Sequence, residues 1–340
     1  MKKSIYAALF MAASLLTSFP AAAQLKLVRR IQFPGNVTGK FDHFGVDLKN
    51  GRLFATPESS QSVEVFDLRT GKHIETIHGI GEAHSVVYRE DVNKLYVADG
   101  GGEEGQAGSL KIIDGSSYTV EKSVGLLTDA DNAGYDPTTG HVYVTNGGKD
   151  AKLNYVIITD IDTNTAEKAG EIKVDGDTLE AMALDPAKRR LYINNSATNA
   201  VEVIDLDQRK VVETWPVTMA HMNVAMALDK ANHRLLLGCR DGHIVVMDSE
   251  SGKELQALPI TKGKTDDMTF DPATKRIYVA TAGFVDTFAQ IDGDHYKHLQ
   301  TVQTSNGAKT ARLVPATHRY FVAAPPDGAQ KAEILVYEVQ

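Results

Sequence analysis

The chain has 340 residues, of which 42% are hydrophobic, 24% charged and 7% aromatic, the balance of a globular protein rather than a disordered or fibrous one. Its 36 Lys and Arg stand against 44 Asp and Glu, a formal charge of −8 that argues against a polyanion as partner. A single cysteine, Cys239, excludes an internal disulfide and any cysteine-built zinc or iron–sulfur centre.

The first residues read as an export signal. Lys2 and Lys3 precede an apolar stretch over residues 6–16, and Ala21 and Ala23 make a small-residue cleavage site before Gln24. An apolar run of about 11 residues is too short for a bilayer, which takes roughly 20. Residues 1–23 are therefore predicted to be a signal peptide, whose loss removes two lysines and takes the charge from −8 to −10. No cysteine follows the apolar run, which excludes a bacterial lipoprotein. No later segment is long and apolar enough to span a membrane, so the expected location is the periplasm.

Residues 24–340 are expected to form one domain, because a repeat runs through them. Strand-like cores occur as RLFAT at Arg52, KLYVA at Lys94, HVYVT at His141, RLYIN at Arg190, RLLLG at Arg234, RIYVA at Arg276 and RYFVA at Arg319. Their second residues are 53, 95, 142, 191, 235, 277 and 320, with spacings of 42, 47, 49, 44, 42 and 43. A second series ends in an acid, at Asp67, Asp114, Asp160, Asp205, Asp248, Asp292 and Glu338. Turns such as DPTTG at Asp136 and DLRTGK at Asp67 separate short alternating segments, so each unit reads as four antiparallel strands. No convincing helical period occurs after the leader. The predicted fold is all-β, a seven-bladed β-propeller of four-stranded antiparallel blades. The last unit stops after VYE at Glu338, and KLVRRIQFPG from Lys26 is similar to the fourth strands that start at Lys72 and Lys210. Residues 25–33 are thus expected to complete the last blade and close the ring.

In such a blade, loops between the second and third strands share a face with the connections between blades. The irregular stretches at residues 99–108, 146–154 and 324–331 fall on that face, and the regular turns fall on the other. Counting back a fixed distance from each core gives Asp42, His84, Asp131, Glu180, Val224, Asp266 and Lys309, six of them ionisable. The next position adds His43, Ser85, Asn132 and Asp267. These residues are predicted to surround the mouth of the central channel. The expected ligand-binding set is Asp42, His43, His84, Asp131, Asn132, Glu180, His221 and Asp266. Carboxylates and imidazoles so placed could hold a divalent metal ion through Asp42, His84, Asp131, Glu180 and Asp266, or supply an acid–base pair. Met219 and Met222 flank His221, a copper-like donor set, although methionines beside a strand are more often core filler. Cys239 reads as a small buried residue.

Several chemistries find no motif. There is no C-x-x-C-H for haem c, no phosphate-binding loop or G-x-G-x-x-G for a nucleotide, and no G-x-S-x-G or H-E-x-x-H. The longest basic run, Lys188 to Arg190, lies in a turn, which argues against nucleic acid as a partner.

The segments HVYVTNGG at His141 and LYINNSATNAVEVIDLDQRKVV at Leu191 resemble the YncE-like, YVTN-repeat periplasmic seven-bladed propellers. FDHFGVD at Phe41 and DADNAGYDP at Asp129 are similar to the same group. WD40 and kelch propellers fit less well, since Trp215 is the only tryptophan. The resemblance covers nearly the whole chain after residue 23 and implies the fold, whereas propellers of this kind serve many functions. The expected function is that of a ligand- or partner-binding protein acting through the polar channel mouth. A small molecule, a metal ion or a protein partner would sit at the irregular face. The alternative is a metal-dependent lyase or lactone hydrolase that uses the same ring, with His84 or His43 as base.

Overall fold

The computed structural model describes residues 25–35, 37–102 and 106–340, and the predicted signal peptide lies outside them. The described residues form seven four-stranded antiparallel sheets, the blades of an all-β propeller. Six blades use four consecutive strands, as in β2 (Phe41–Asp47), β3 (Arg52–Pro57), β4 (Val63–Asp67) and β5 (His73–Ile77). The seventh is built from both ends of the chain. Its order is β1 (Leu25–Gln32), β28 (Glu333–Val339), β27 (Arg319–Ala324) and β26 (Thr310–Val314). Leu25 lies opposite Val339 and Gln32 opposite Glu333, so the ring is closed by the N-terminal strand as expected. Closure leaves no blade interface open.

The recurring cores are the second strands, and burial explains their composition. Every residue of β3 is buried, because sheets pack against both of its faces. Such a strand reads as a continuous apolar run instead of an alternation. Tyr96, Tyr143, Tyr192 and Tyr278 occupy the third position of four cores, Tyr320 the second position of the last, and all five are fully buried. Phe54 and Val65 of the first blade pack with Leu95 and Val97 of the second in one such interface. Outer strands carry the charge, and β9 (Val120–Gly125) buries only Val124.

Register refines the second marker series. Asp67, Asp114, Asp205 and Asp248 each oppose the first residue of their core, at Arg52, Lys94, Arg190 and Arg234. In the third blade that place belongs to Asp162, opposite His141, and not to Asp160. The third strand there runs two residues past Asp160, which is buried and bonded to His141 at 2.6 Å and Arg209 at 3.0 Å. In the sixth blade Arg276 opposes Ala289, and Asp292 lies beyond the strand, where its Oδ1 accepts two turn N–H groups at 2.9 Å each. Helix among the described residues is confined to four short 3-10 turns, and no helix is long and apolar enough to cross a membrane.

Candidate functional site

The first strands of adjacent blades face one another around the axis, as β2 does with β6 (Ala83–Arg89) and β14 (Leu179–Asp185) with β18 (Asn223–Asp229). In these four blades the first strand breaks register with the second near its start, between Asp42 and Gly45, Ala83 and Val86, Leu179 and Met182, and Asn223 and Ala225. His84, Glu180 and Val224 lie inside those bulges and Asp42 at the edge of one. A bulge turns a side chain that would pack on the sheet toward the channel. In the third and sixth blades the strand starts later, at Ala133 and Met268. There Asp131 is fixed by its N–H donating to Thr145 O at 3.0 Å, and Asp267 by its carbonyl accepting from Ala280 N–H at 3.0 Å. None of the bulges was legible in the sequence, yet the fixed count from each core still finds the residues they carry.

All seven counted positions, from Asp42 to Lys309, line one cavity of about 180 Å³ at the channel mouth, together with His43 and Asn132. His221 does not. It is exposed on the loop before the fifth blade, where its backbone N–H donates to Asp241 Oδ2 at 2.8 Å, and Val224 takes the channel position. Met219 and Met222 are 47% and 51% exposed, so they are not core filler either. Sequence reasoning did not pick out Lys40, Glu58, Asp129, Asp177 and Arg240, which also line the cavity from connections whose length varies between blades.

At the floor lies a compact array. Asp42 bridges two imidazoles, with Oδ2 2.6 Å from His84 Nδ1 and Oδ1 3.3 Å from His43 Nε2. His43 Nδ1 meets Asp267 Oδ1 at 2.8 Å, and His84 Nδ1 lies 3.6 Å from Asp131 Oδ1. Asn132 Nδ2 donates to Asp131 Oδ2 at 2.9 Å. Burial pushes the Asp42 carboxyl up, but the charges of His43 and His84 outweigh it and hold Asp42 below the usual carboxylate range. Burial would lower both histidines. For His84 the hydrogen bond to Asp42 and the nearby Glu82 and Asp131 reverse this, and for His43 the carboxylates of Asp42 and Asp267 do so. Both therefore titrate well above an ordinary imidazole. Asp131 goes the other way, raised to about 8 by burial and by the charge of Asp42. The cluster thus favours the charged form of Asp42 and of both imidazoles and the neutral form of Asp131.

Of the five residues expected to hold a metal, three converge. Asp42, His84 and Asp131 offer ligand atoms that all lie within 4.8 Å of one another. Two carboxylate oxygens and one imidazole nitrogen suit a divalent cation of intermediate hardness. Glu180 and Asp266 stand outside this group. Glu180 accepts from Ser196 Oγ at 3.2 Å, while Asp266 is neutralised by Arg240 at 2.7 Å and by Lys309. Around the rim of the third and fourth blades, Asp129, Asp150, Asp177 and Glu180 have Lys149 as the one lining cation on that side. Burial and then the charge of Asp150 raise Asp129, and burial raises Glu180. Cys239 is fully buried, and burial pushes its thiol up to about 12.

No family model matches the chain. THO complex subunit 3 of Arabidopsis thaliana is 22% identical over 228 residues, which are 65% of this chain and 66% of that protein, so the match spans just under two thirds of the relative's length. Among solved structures, a chain in the crystal structure of a mitotic checkpoint complex matches with a TM-score of 0.75 at 13% identity, covering 100% of this chain and 99% of that one. A chain of Kuenenia stuttgartiensis hydrazine synthase matches with a TM-score of 0.70 at 16% identity, over 89% and 97% of the two chains. The likeness is one of fold. It places the chain among β-propellers.

Proposed function

We propose that this chain is an exported, periplasmic binding protein of the YncE-like kind, with residues 1–23 as its leader and residues 24–340 as one propeller. It holds a small cationic ligand at the polar mouth of its channel. The observation that carries the reading is the convergence of one position, at or just before the first strand of each of seven blades, on a single cavity, with an excess of carboxyls on the rim of the third and fourth blades. Burial and the charge of a neighbouring carboxylate, Asp150 for Asp129 and Asp42 for Asp131, raise both groups. A bound cation relieves that repulsion, which gives the site a driving force for positive charge. A divalent ion would be held by Asp42, His84 and Asp131, and an ammonium group by the rim acids. No observation favours the catalytic alternative.

The test is titration calorimetry of chelator-free protein with Mn²⁺, Ca²⁺ and a short diammonium, on the wild type and on Asp131→Asn and Glu180→Gln. Binding weakened about tenfold or more by either substitution supports the reading. No binding by any of the three cations, or equal binding by both variants, removes the channel mouth from it.

A further inference from the structure

The loop face carries a second cavity, of about 330 Å³, over the sixth, seventh and first blades. Its charge is opposite in sign to the rim described above. Lys40, Lys262, Lys264 and Lys309 line it, and none of its lining residues is acidic. Lys40 is paired with Glu58 at 3.4 Å and Lys309 with Asp266, but Lys262 and Lys264 are exposed and have no ion-pair partner among the described residues. Four lysines around one groove run against the sign of a chain whose formal charge is −8.

The floor beneath them is apolar. Half-buried Pro325 gives the accessible apolar surface, and Ala282, Phe41 and Ala323, 8%, 3% and 1% exposed, back it from below. The groove is held open by bonds and does not depend on a mobile loop. Thr310 Oγ1 donates to Phe41 O at 2.9 Å, Thr261 N–H donates to Asp286 Oδ2 at 2.7 Å, and Lys264 N–H donates to Arg240 O at 3.3 Å. A cationic rim over a dry floor discriminates between anions. A compact hydrated anion gains only the charge, whereas an anion with an apolar body gains the floor as well.

We propose that this groove binds a small organic carboxylate with a compact apolar body, its carboxylate between Lys262 and Lys264 and its body against Pro325 and Ala282. The site is separate from the channel ligand. Lys40 and Lys309 border both cavities, but Lys262 and Lys264 line the groove alone. The probes are benzoate, acetate and inorganic phosphate, titrated into the full chain by calorimetry or by NMR shifts.

Benzoate is expected to bind with a Kd on the order of 1 mM, about fivefold or more tighter than acetate or phosphate. Lys262→Gln combined with Lys264→Gln should weaken it about tenfold, and about 0.5 M salt should weaken it similarly. Ala282→Leu, which fills the floor from a turn, should weaken benzoate and leave acetate unchanged. Asp131→Asn should leave benzoate unchanged, which separates failure here from failure of the channel reading. Phosphate binding as tightly as benzoate would mean an adventitious ion only. That result, or benzoate binding unaltered in the double lysine variant with an unchanged melting temperature, overturns the proposal.

Discussion

Asp42 and Asp131 belong to one cluster and yet hold their protons in opposite ways, and this has a consequence for stability. A carboxyl held below its usual range, as in Asp42, adds stability that is present above about pH 4 and is lost as the pH falls through its folded value. Asp131 has the reverse sign. The unfolded chain releases this proton near pH 4 and the folded chain only near about 8, so the folded state binds more protons in that window and stability falls as pH rises through it. His43 and His84, whose folded values are raised, act in the same direction at higher pH. Their stabilisation is complete below about pH 6.5 and is lost as pH climbs through those values. Asp131→Asn keeps the acceptor and removes the ionisation. Compared with wild type it should gain about 2 kcal/mol between pH 5 and pH 8.5 in urea melts, with part of the gain offset by the charge His84 loses beside it. A difference between the two proteins that stays flat with pH would refute this account.

The most informative element is β1, which supplies the outer strand of a blade whose other strands lie some three hundred residues away in sequence. It buries Leu25 and Ile31, and its exposed side chains are tied back by Arg30 and Gln32 to Glu333, the latter at 3.0 Å. Removing residues 25–32 uncovers the edge of β28 together with those two buried positions. A loss of about 3 to 6 kcal/mol follows from the apolar burial alone, with aggregation through the new edge. Urea denaturation and light scattering of the shortened chain measure both, and a loss under about 1 kcal/mol would mean that the strand closes nothing. Elements also account for the sequence pattern that marks the repeat. Asn146, at the end of a core strand, donates to Val144 O and Ile157 O at 3.1 Å each and accepts from Leu127 N–H at 3.1 Å. Asn195, at the end of the fourth blade's core strand, donates to Asp175 O of the third blade at 2.8 Å. These asparagines satisfy backbone groups where a strand gives way to a loop, a structural role that a repeat would preserve whatever the ligand.

Over the whole molecule, closure by both ends of the chain makes the order of the blades a property of the ring. Leu25 lies opposite Val339, so a short glycine-rich linker from Gln340 can rejoin the chain at Leu25. A circular permutant opened in the exposed turn at Asp292 to Asp294 should fold with an unchanged β-sheet circular dichroism spectrum, because each blade keeps its four strands. Loss of cooperative unfolding in that permutant would show that blade order carries stability of its own. The loop face of the ring is also divided in charge, with acids over the third and fourth blades and lysines over the sixth, seventh and first. Most of that division arises from loops within and between blades, which vary in length and composition, Glu180 of β14 being the strand residue among the acids.

The sequence alone settled what depends on local periodicity. Seven apolar cores at near-constant spacing required seven similar sheets, and the N-terminal strand's likeness to the other outer strands fixed how the ring closes. A constant offset from each core also named the residues of the channel mouth, since the same number of residues runs from core to mouth in every blade, whether the strand is bulged or starts late. Tertiary structure decided the rest. It removed His221 from the mouth, turned Glu180 and Asp266 away from the Asp42–His84–Asp131 group, and joined four lysines from three separate connections into one groove. Protonation was decided there as well, because a carboxyl in a sequence has no neighbours until folding encloses it beside an imidazole or a second acid.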